Sequence, residues 1–318
     1  MRKIIIDTDT GSDDAIAILM ALRDPSVQVL AVTTVCGNVN REQATINAFR
    51  SIDAARTYVP PVYKGAFRPL YWDLVTGQFA HGQDGMGDMG LPIPDMQAET
   101  EHAVEAILRL VKENPGEIEI VALGPATNLA LAMMKDPEAM KQVKHIYSMG
   151  SGGYGKGNAT SVAEFNVFVD AEAYKVLVDF PVPLTIIGLD LCYLPDALIT
   201  QQDIDQLQTE GPIAQFAVDC NATLFQFCSR VLGRPAFIQP DPLAMGAALW
   251  PDVVTEVHDC YCFVCTDRNP TYGQVVVEPK HYHKADEAKL GSWKPTAAVV
   301  KQMDMAAYKQ KLYAILKI

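Results

Sequence analysis
The sequence contains no apolar run long enough to cross a bilayer: charge, Pro or Gly breaks every hydrophobic stretch well short of ~20 residues. It has no Ser/Gly linker and no internal repeat. With 21 glycines and 20 prolines in 318 residues, collagen-like, low-complexity and disordered chains are excluded. Positive charge is scarce as well, with 26 Lys and Arg against 38 Asp and Glu and a formal net charge of −12. The average field therefore repels polyanions, so neither nucleic acid nor a membrane is expected as a partner. Cysteine is sparse and irregular: there are seven, an odd number, and Cys36, Cys192, Cys220 and Cys228 stand in apolar surroundings, as reduced buried thiols do. The N-terminal residues offer no export signal, because Asp7 and then Asp9, Asp13 and Asp14 fall where a signal peptide needs its apolar stretch, and a cytoplasmic protein is expected. What the chain does have is 49% hydrophobic residues, enough to fill the core of one large domain over residues 1–318.

The apolar pattern alternates strand and helix from the start. Lys3 to Asp7 and Val27 to Val35 read as strands, and Asp13 to Leu22 and Arg41 to Arg56 as helices. Further strands are expected at Glu117 to Leu123, Lys144 to Met149 and Pro183 to Leu189, with helices at Glu101 to Lys112, Thr127 to Lys135 and Ala171 to Val178. Continuous apolar strands between helices predict a single α/β domain with a mostly parallel, Rossmann-like central sheet flanked by helices. Beyond Leu189 the pattern becomes helix-rich over Ile204 to Leu232 and Asp241 to Leu249. Strands return at Val253 to Thr266 and Gly273 to Glu278, and a helix at Met305 to Leu316 closes the chain. Pro60 to Pro94 reads as a long irregular stretch, a length that is more often functional than idle.

Four carboxylates occur in the eight residues Asp7-Thr8-Asp9-Thr10-Gly11-Ser12-Asp13-Asp14, where a buried strand gives way to a buried helix. Their mutual repulsion calls for a cation or a polar ligand, and strand C-termini are where open α/β sheets bind ligands. As purely structural residues they would be helix caps and turn acids, but a cap needs one acid and four are present. A calcium loop of the EF-hand kind fails, because Gly11 and Ile18 occupy its fifth and twelfth positions. A haloacid-dehalogenase-like phosphatase using Asp7 and Asp9 is a rival, although Gly11 stands where its Thr is usual; a non-catalytic calcium-binding module is another.

The glycine cluster Gly150, Gly152 and Gly155 matches G-x-G-x-x-G, but Gly157, Asn158, Thr160 and Val162 continue a loop where a dinucleotide site needs a helix. The neighbouring Ala163-Glu164-Phe165-Asn166 offers an acid, a ring and an amide, a mixture suited to sugar hydroxyls and hostile to phosphate. Asp241, between two prolines, is by itself either a cap or a ligand. Cys260, Cys262 and Cys265 alternate across a strand and read as core sheet, with Cys260 and Cys262 on one face, and His281-Tyr282-His283 reads as surface.

Taken together, these segments resemble the nucleoside hydrolase family, the inosine-uridine preferring type included, whose members open with a strand ending Asp-x-Asp-x-Gly-x-Asp-Asp. Besides Asp7 to Asp14, the resemblance is carried by Thr33 to Asn38, His81-Gly82, Leu123-Gly124-Pro125-Ala126-Thr127-Asn128, Gly157-Asn158 through Asn166, and Asp241-Pro242. It implies hydrolysis of the N-glycosidic bond of purine or pyrimidine ribonucleosides to ribose and free base, by a homodimer or homotetramer. It further implies a Ca²⁺ held by Asp9, Asp14, the Leu123 carbonyl and Asp241, with Asp9 as base for a water on that ion. An all-oxygen, carboxylate-rich site suits the same hard cation on chemical grounds. By the same resemblance Asp13 and Asn166 would take the 2′ and 3′ hydroxyls, and Asn158 and Glu164 the 5′ hydroxyl. Met149 would lie below the sugar, Phe165 beside it, and Asn38 near the attacking water. One departure stands out: where many relatives carry a His that assists departure of the base, this chain has Pro240. His81, or stacking by Tyr71, Trp72, Phe225 or Phe227, are the candidate replacements.

Overall fold
Strand formation begins with Arg2–Thr8 (β1), whose isoleucines alternate between two apolar layers: Ile4 and Ile6 enter one core and Ile5 the other. A strand buried on both faces must lie inside a sheet covered by helices. The computed structural model, which describes residues 1–279 and 294–317, places β1 in the interior of a nine-stranded sheet, third from one edge. The other strands are β2 (Val27–Thr34), β3 (Val62–Lys64), β4 (Ile118–Ala122), β5 (His145–Met149), β6 (Leu184–Ile187), β9 (Val254–Val264), β10 (Val275–Pro279) and β11 (Ala297–Met303). A separate antiparallel pair joins β7 (Ile199–Thr200) to β8 (Ala236–Phe237).

The order across the sheet is β10-β9-β11-β6-β5-β4-β1-β2-β3. From β3 to β11 all pairings are parallel; β9 and β10 extend the edge antiparallel. Strand order therefore reverses between β1 and β4, and the crevice at that reversal is where doubly wound sheets receive ligands. The parallel α/β core is as the sequence predicts. The strands it does not predict are β3, inside the stretch read as irregular, β11, and the short pair β7 and β8.

The helix Ser12–Arg23 is buried along nearly its whole length, from Ser12 to Leu22. It is sandwiched among the helices Arg41–Ala55, Pro240–Leu249 and Met305–Leu316, which explains why it is apolar nearly all round. The opposite face of the sheet is covered by Ala103–Glu113, Thr127–Lys135 and Ala171–Asp179. The stretch expected to be helical over Ile204 to Leu232 is three helices, Gln201–Leu207, Pro212–Asp219 and Ala222–Leu232. Gly211 at φ 125° and the following Pro212 separate the first two.

Cys260 and Cys262 are buried in β9 while Cys265 is half-buried beyond it, as alternation requires. Among the described residues no helix is long and apolar enough to cross a membrane. The segment His281-Tyr282-His283 lies outside the described residues.

Candidate active site
At the C-terminal end of β1 the chain turns through Asp9-Thr10-Gly11 into the helix Ser12–Arg23, and all four acids of this junction are buried. Asp14 bends back over its own helix start: its Oδ2 accepts the Gly11 N–H at 2.8 Å and its Oδ1 the Thr8 hydroxyl at 2.5 Å. Asn38, on the loop after β2, donates its backbone N–H to Asp9 Oδ2 at 2.5 Å and its side-chain amide to Asp14 Oδ2 at 3.2 Å. Asp9 is clasped between two glycines. A Cβ on Gly37 would collide with Asp9 Oδ2, and one on Gly124 would sit 2.7 Å from Asp9 Oδ1. Those contacts give a steric reason for the Cys36-Gly37-Asn38 and Leu123-Gly124-Pro125 segments.

Asp7 has a different occupation. Its Oδ1 accepts from Thr33 Oγ1 at 2.6 Å and Asn128 Nδ2 at 2.8 Å, and burial raises its pKa to about 6. The same Asn128 accepts the Ala66 N–H and donates to the Thr34 carbonyl, so Asp7 ties β1 to β2 and to the helix Thr127–Lys135. It does not line the cavity described below. With Oδ1 committed to Thr33 and Asn128 inside the sheet, Asp7 acts as a tie between elements, and this geometry gives no support to Asp7 as a phosphatase nucleophile.

Carboxylate oxygens of Asp13, Asp14 and Asp241 lie within 4.8 Å of one another, and all three residues are buried. Asp241 arrives from the second position of the helix Pro240–Leu249 and makes no cap there. Burial, followed by the charge of neighbouring acids, holds Asp9 and Asp241 well above the ordinary carboxylate range. Asp9 Oδ1 and Asp13 Oδ1 have no hydrogen-bond partner although both are sealed from solvent. Crowded, unpartnered, all-oxygen donors of this kind fit a hard divalent cation.

A cavity of ≈ 280 Å³ opens beside this group. Its polar wall carries Asp13, Asn38, His81, Asn158, Glu164, Asn166 and Asp241, with the Leu123, Met149 and Phe165 positions between them. Asp9 and Asp14 do not face it. Asn166 donates to the Leu123 carbonyl at 2.6 Å and approaches the Met149 sulfur at 3.4 Å, which locks the ends of β4 and β5 together. Glu164 caps the short helix Phe165–Val169, accepting the N–H groups of Asn166 and Val167, and burial pushes its pKa up to about 7. Asn158 Oδ1 accepts the Phe165 N–H at 2.8 Å. After Gly150, Gly152 and Gly155 no helix begins until Phe165, so the glycine run is a loop and not a dinucleotide turn, and of this stretch Gly157 and Asn158 line the cavity.

The opposite wall is apolar, built from Phe79, Leu224, Phe227, Val231 and Ile238, with Tyr193 and Cys228 beside them. Phe79 and Phe227 meet edge to face at 5.5 Å. Of the four rings considered for stacking, Phe227 alone reaches the cavity. Phe225 packs on Phe237, Tyr71 is exposed, and Trp72 donates to Glu172 beneath the Arg268 guanidinium. Trp72 packs on the apolar layer of the opposite face of the sheet, and Tyr71 sits edge to face on Trp72. Phe79, Tyr193 and Val231 carried no sequence signal, because they come from three separated segments that only the fold unites. Pro240 lines the cavity, and so does His81, whose Nδ1 lies 2.7 Å from Ser12 Oγ and 3.7 Å from Asp13 Oδ1. Burial drops the His81 pKa to about 4, against the opposing charge of Asp14.

Comparison with known proteins places this arrangement. Residues 4–310 match the family described as inosine-uridine preferring nucleoside hydrolase. A pyrimidine-specific ribonucleoside hydrolase of Shewanella baltica is 34% identical over 286 residues, 87% of this chain and 86% of its own length. A probable uridine nucleosidase of rice (Oryza sativa subsp. japonica) is 33% identical over 80% of this chain and 78% of its own. Among solved structures, a plant nucleoside hydrolase superposes with TM-score 0.92 at 29% identity over 99% of both chains. A purine-preferring ribonucleoside hydrolase from Gardnerella vaginalis does so with TM-score 0.89 at 28% identity over 99% of this chain and 98% of its own. With a match that spans nearly the whole chain, and with its carboxylates gathered where the sheet reverses, the protein belongs to the nucleoside hydrolase family of N-glycosyl hydrolases.

Proposed function
We propose that this chain hydrolyses purine or pyrimidine ribonucleosides to ribose and free base, with Ca²⁺ as its cofactor and Asp9 as the base that takes a proton from the attacking water. The observation that carries the reading is the two-sided cavity, polar along Asp13, Asn158, Glu164 and Asn166 and apolar along Phe79 and Phe227. A nucleoside has the same division between a hydroxylated sugar and a flat base.

Asp9, Asp14, Asp241 and the Leu123 carbonyl would hold the Ca²⁺, with Asp13 adjoining it. Bound there, the cation supplies positive charge that offsets the crowded carboxylates and acidifies a water. Asn38 holds Asp9 by its N–H and so fixes where that carboxylate can accept a proton. Asp13 and Asn166 bind the 2′ and 3′ hydroxyls, Asn158 and Glu164 the 5′ hydroxyl, while Met149 and Phe165 pack against the ring. As the bond from the anomeric carbon to the base breaks, positive charge develops on the ribose, and the acidic wall favours that charge electrostatically. Glu164 also leaves no place for a 5′ phosphate, so nucleotides are excluded. Relief of the leaving base falls to His81, because Pro240 has no proton to give. A cytoplasmic homodimer or homotetramer completes the proposal; the seven unpaired cysteines support the reducing compartment.

One assay panel tests the function. Inosine, adenosine, uridine and cytidine are incubated with the protein and Ca²⁺, and ribose is measured as reducing sugar, with nucleoside monophosphates and p-nitrophenyl phosphate alongside. Ribose release from the nucleosides alone is the expected result. Phosphate release without ribose, or Ca²⁺ binding without either, would refute it.

A further inference from the structure
His81 touches the first turn of the helix Ser12–Arg23 through one ring nitrogen. The Ser12 backbone N–H points at His81 Nδ1 from 3.4 Å, and the Ser12 hydroxyl lies 2.7 Å from the same atom. An amide N–H can only donate, so Nδ1 must offer it a lone pair. The hydroxyl then donates to Nδ1 too, and the ring proton sits on Nε2. The distance to Asp13 agrees: Asp13 Oδ1 stays 3.7 Å from Nδ1 and has no hydrogen-bond partner, as two acceptors would stand apart. No side chain or backbone group among the described residues bonds Nε2, and His81 lines the cavity.

Ser12 is itself held from the other side. Asn221, fully buried just before the helix Ala222–Leu232, donates to the Ser12 carbonyl at 2.9 Å, and Cys220 Sγ approaches the same oxygen at 3.5 Å. Two glycines make room for the ring: a Cβ on Gly11 would lie 3.2 Å from His81 Nδ1, and one on Gly77 3.4 Å from His81 Cδ2. Ser12, anchored by Asn221, thus holds the imidazole through Nδ1.

We propose that Ser12 is a positioning residue that fixes His81 as its Nε2–H tautomer and aims that N–H into the cavity as the donor to the departing base. The proposal rests on the nucleosidase reading for its substrate, but the tautomer does not. A neutral ring that already carries its proton on the cavity side can donate a hydrogen bond to a base nitrogen as the glycosidic bond lengthens. Activated aglycones that leave unaided have little use for it.

The test combines two readouts on the protein with Ca²⁺. Nitrogen-15 NMR of histidine-labelled protein, with the His81 signals identified by their loss in His81→Gln, should show Nδ1 unprotonated and Nε2 protonated; in Ser12→Ala the two forms should mix. In kinetics, Ser12→Ala should lower kcat on inosine more than kcat on p-nitrophenyl riboside, by a ratio of about tenfold, with KM for inosine little changed. A protonated Nδ1 in the parent protein overturns the proposal, as does an equal loss of kcat on both substrates. If the parent protein cleaves neither substrate, the nucleosidase reading has failed, and the NMR result still decides the role of Ser12.

Discussion
Asp14 and Asp241 bring carboxylate oxygens within 4.8 Å of each other, and both residues are buried. Two such groups cannot both ionise without a counter-charge, so the pair predicts how the protein responds to chelation. Removing divalent cations should lower Tm, and adding back Ca²⁺ should raise it in a concentration-dependent way. Asp241→Asn should abolish ribose release, yet it should stabilise the chelated protein by about 1–3 kcal/mol because it removes one of the repelling charges. Calorimetry of both proteins in chelator checks this, and a less stable chelated variant would contradict it.

Glu164 gives a pH dependence that involves no cation. Burial raises its pKa to about 7, so the folded state keeps a proton that the unfolded chain releases at its ordinary, lower pKa. The stability it contributes is fully present below the unfolded pKa and is lost as pH rises towards the folded value. Glu164→Gln should therefore match the parent protein near pH 4 and exceed it at pH 8, by about 1–3 kcal/mol. Urea denaturation at the two pH values measures the difference; no gain at pH 8 would show that the carboxylate is not penalised by burial.

The apolar wall predicts a contrast between two rings. Phe227→Ala should raise KM for nucleosides about five- to tenfold through loss of a stacking face. Trp72→Ala should leave KM unchanged and lower Tm, because Trp72 packs under Arg268 and bonds Glu172 far from the cavity. Steady-state kinetics and thermal unfolding of both variants separate these outcomes.

Asp7 is predicted to be architectural. Asn128→Ala removes one of its two partners and the clasp on Ala66 and Thr34, at a cost of about 2–4 kcal/mol. Measured well below Tm, the variant should keep the KM of the parent protein. Unchanged stability with lost turnover would return Asp7 to the chemistry.

Many residues that line the candidate site could be picked out from the sequence because they lie where local pattern and chemistry coincide. A strand that leads through Asp9 into a buried helix announces a ligand site before any fold is known. Asp7 shows the limit of that reasoning. It is the same residue type, two positions away, and what separates its role from that of Asp9 is a hydrogen bond from Asn128, which is distant in the chain. The aromatic wall was hidden for a similar reason, since Phe79 and Phe227 belong to helices that meet only in three dimensions. β3 was missed because a strand of three residues inside a proline-bearing stretch gives periodicity too little length to register.

The edge-to-face pair of Phe79 and Phe227 divides the molecule by its capacity for change. The groups assigned to cation and sugar hang from strand ends and from helices locked into the central sheet. Most of the apolar wall proposed to face the base comes from the helices Gln78–His81 and Ala222–Leu232, which flank the sheet, with Ile238 and Tyr193 added from outside them. Substitution on those two helices can reshape the aglycone side without moving a single strand register. On the proposed function, base preference becomes a trait that can change over an unchanged sheet, and exchanging both helices together while retaining His81 is the natural unit of redesign.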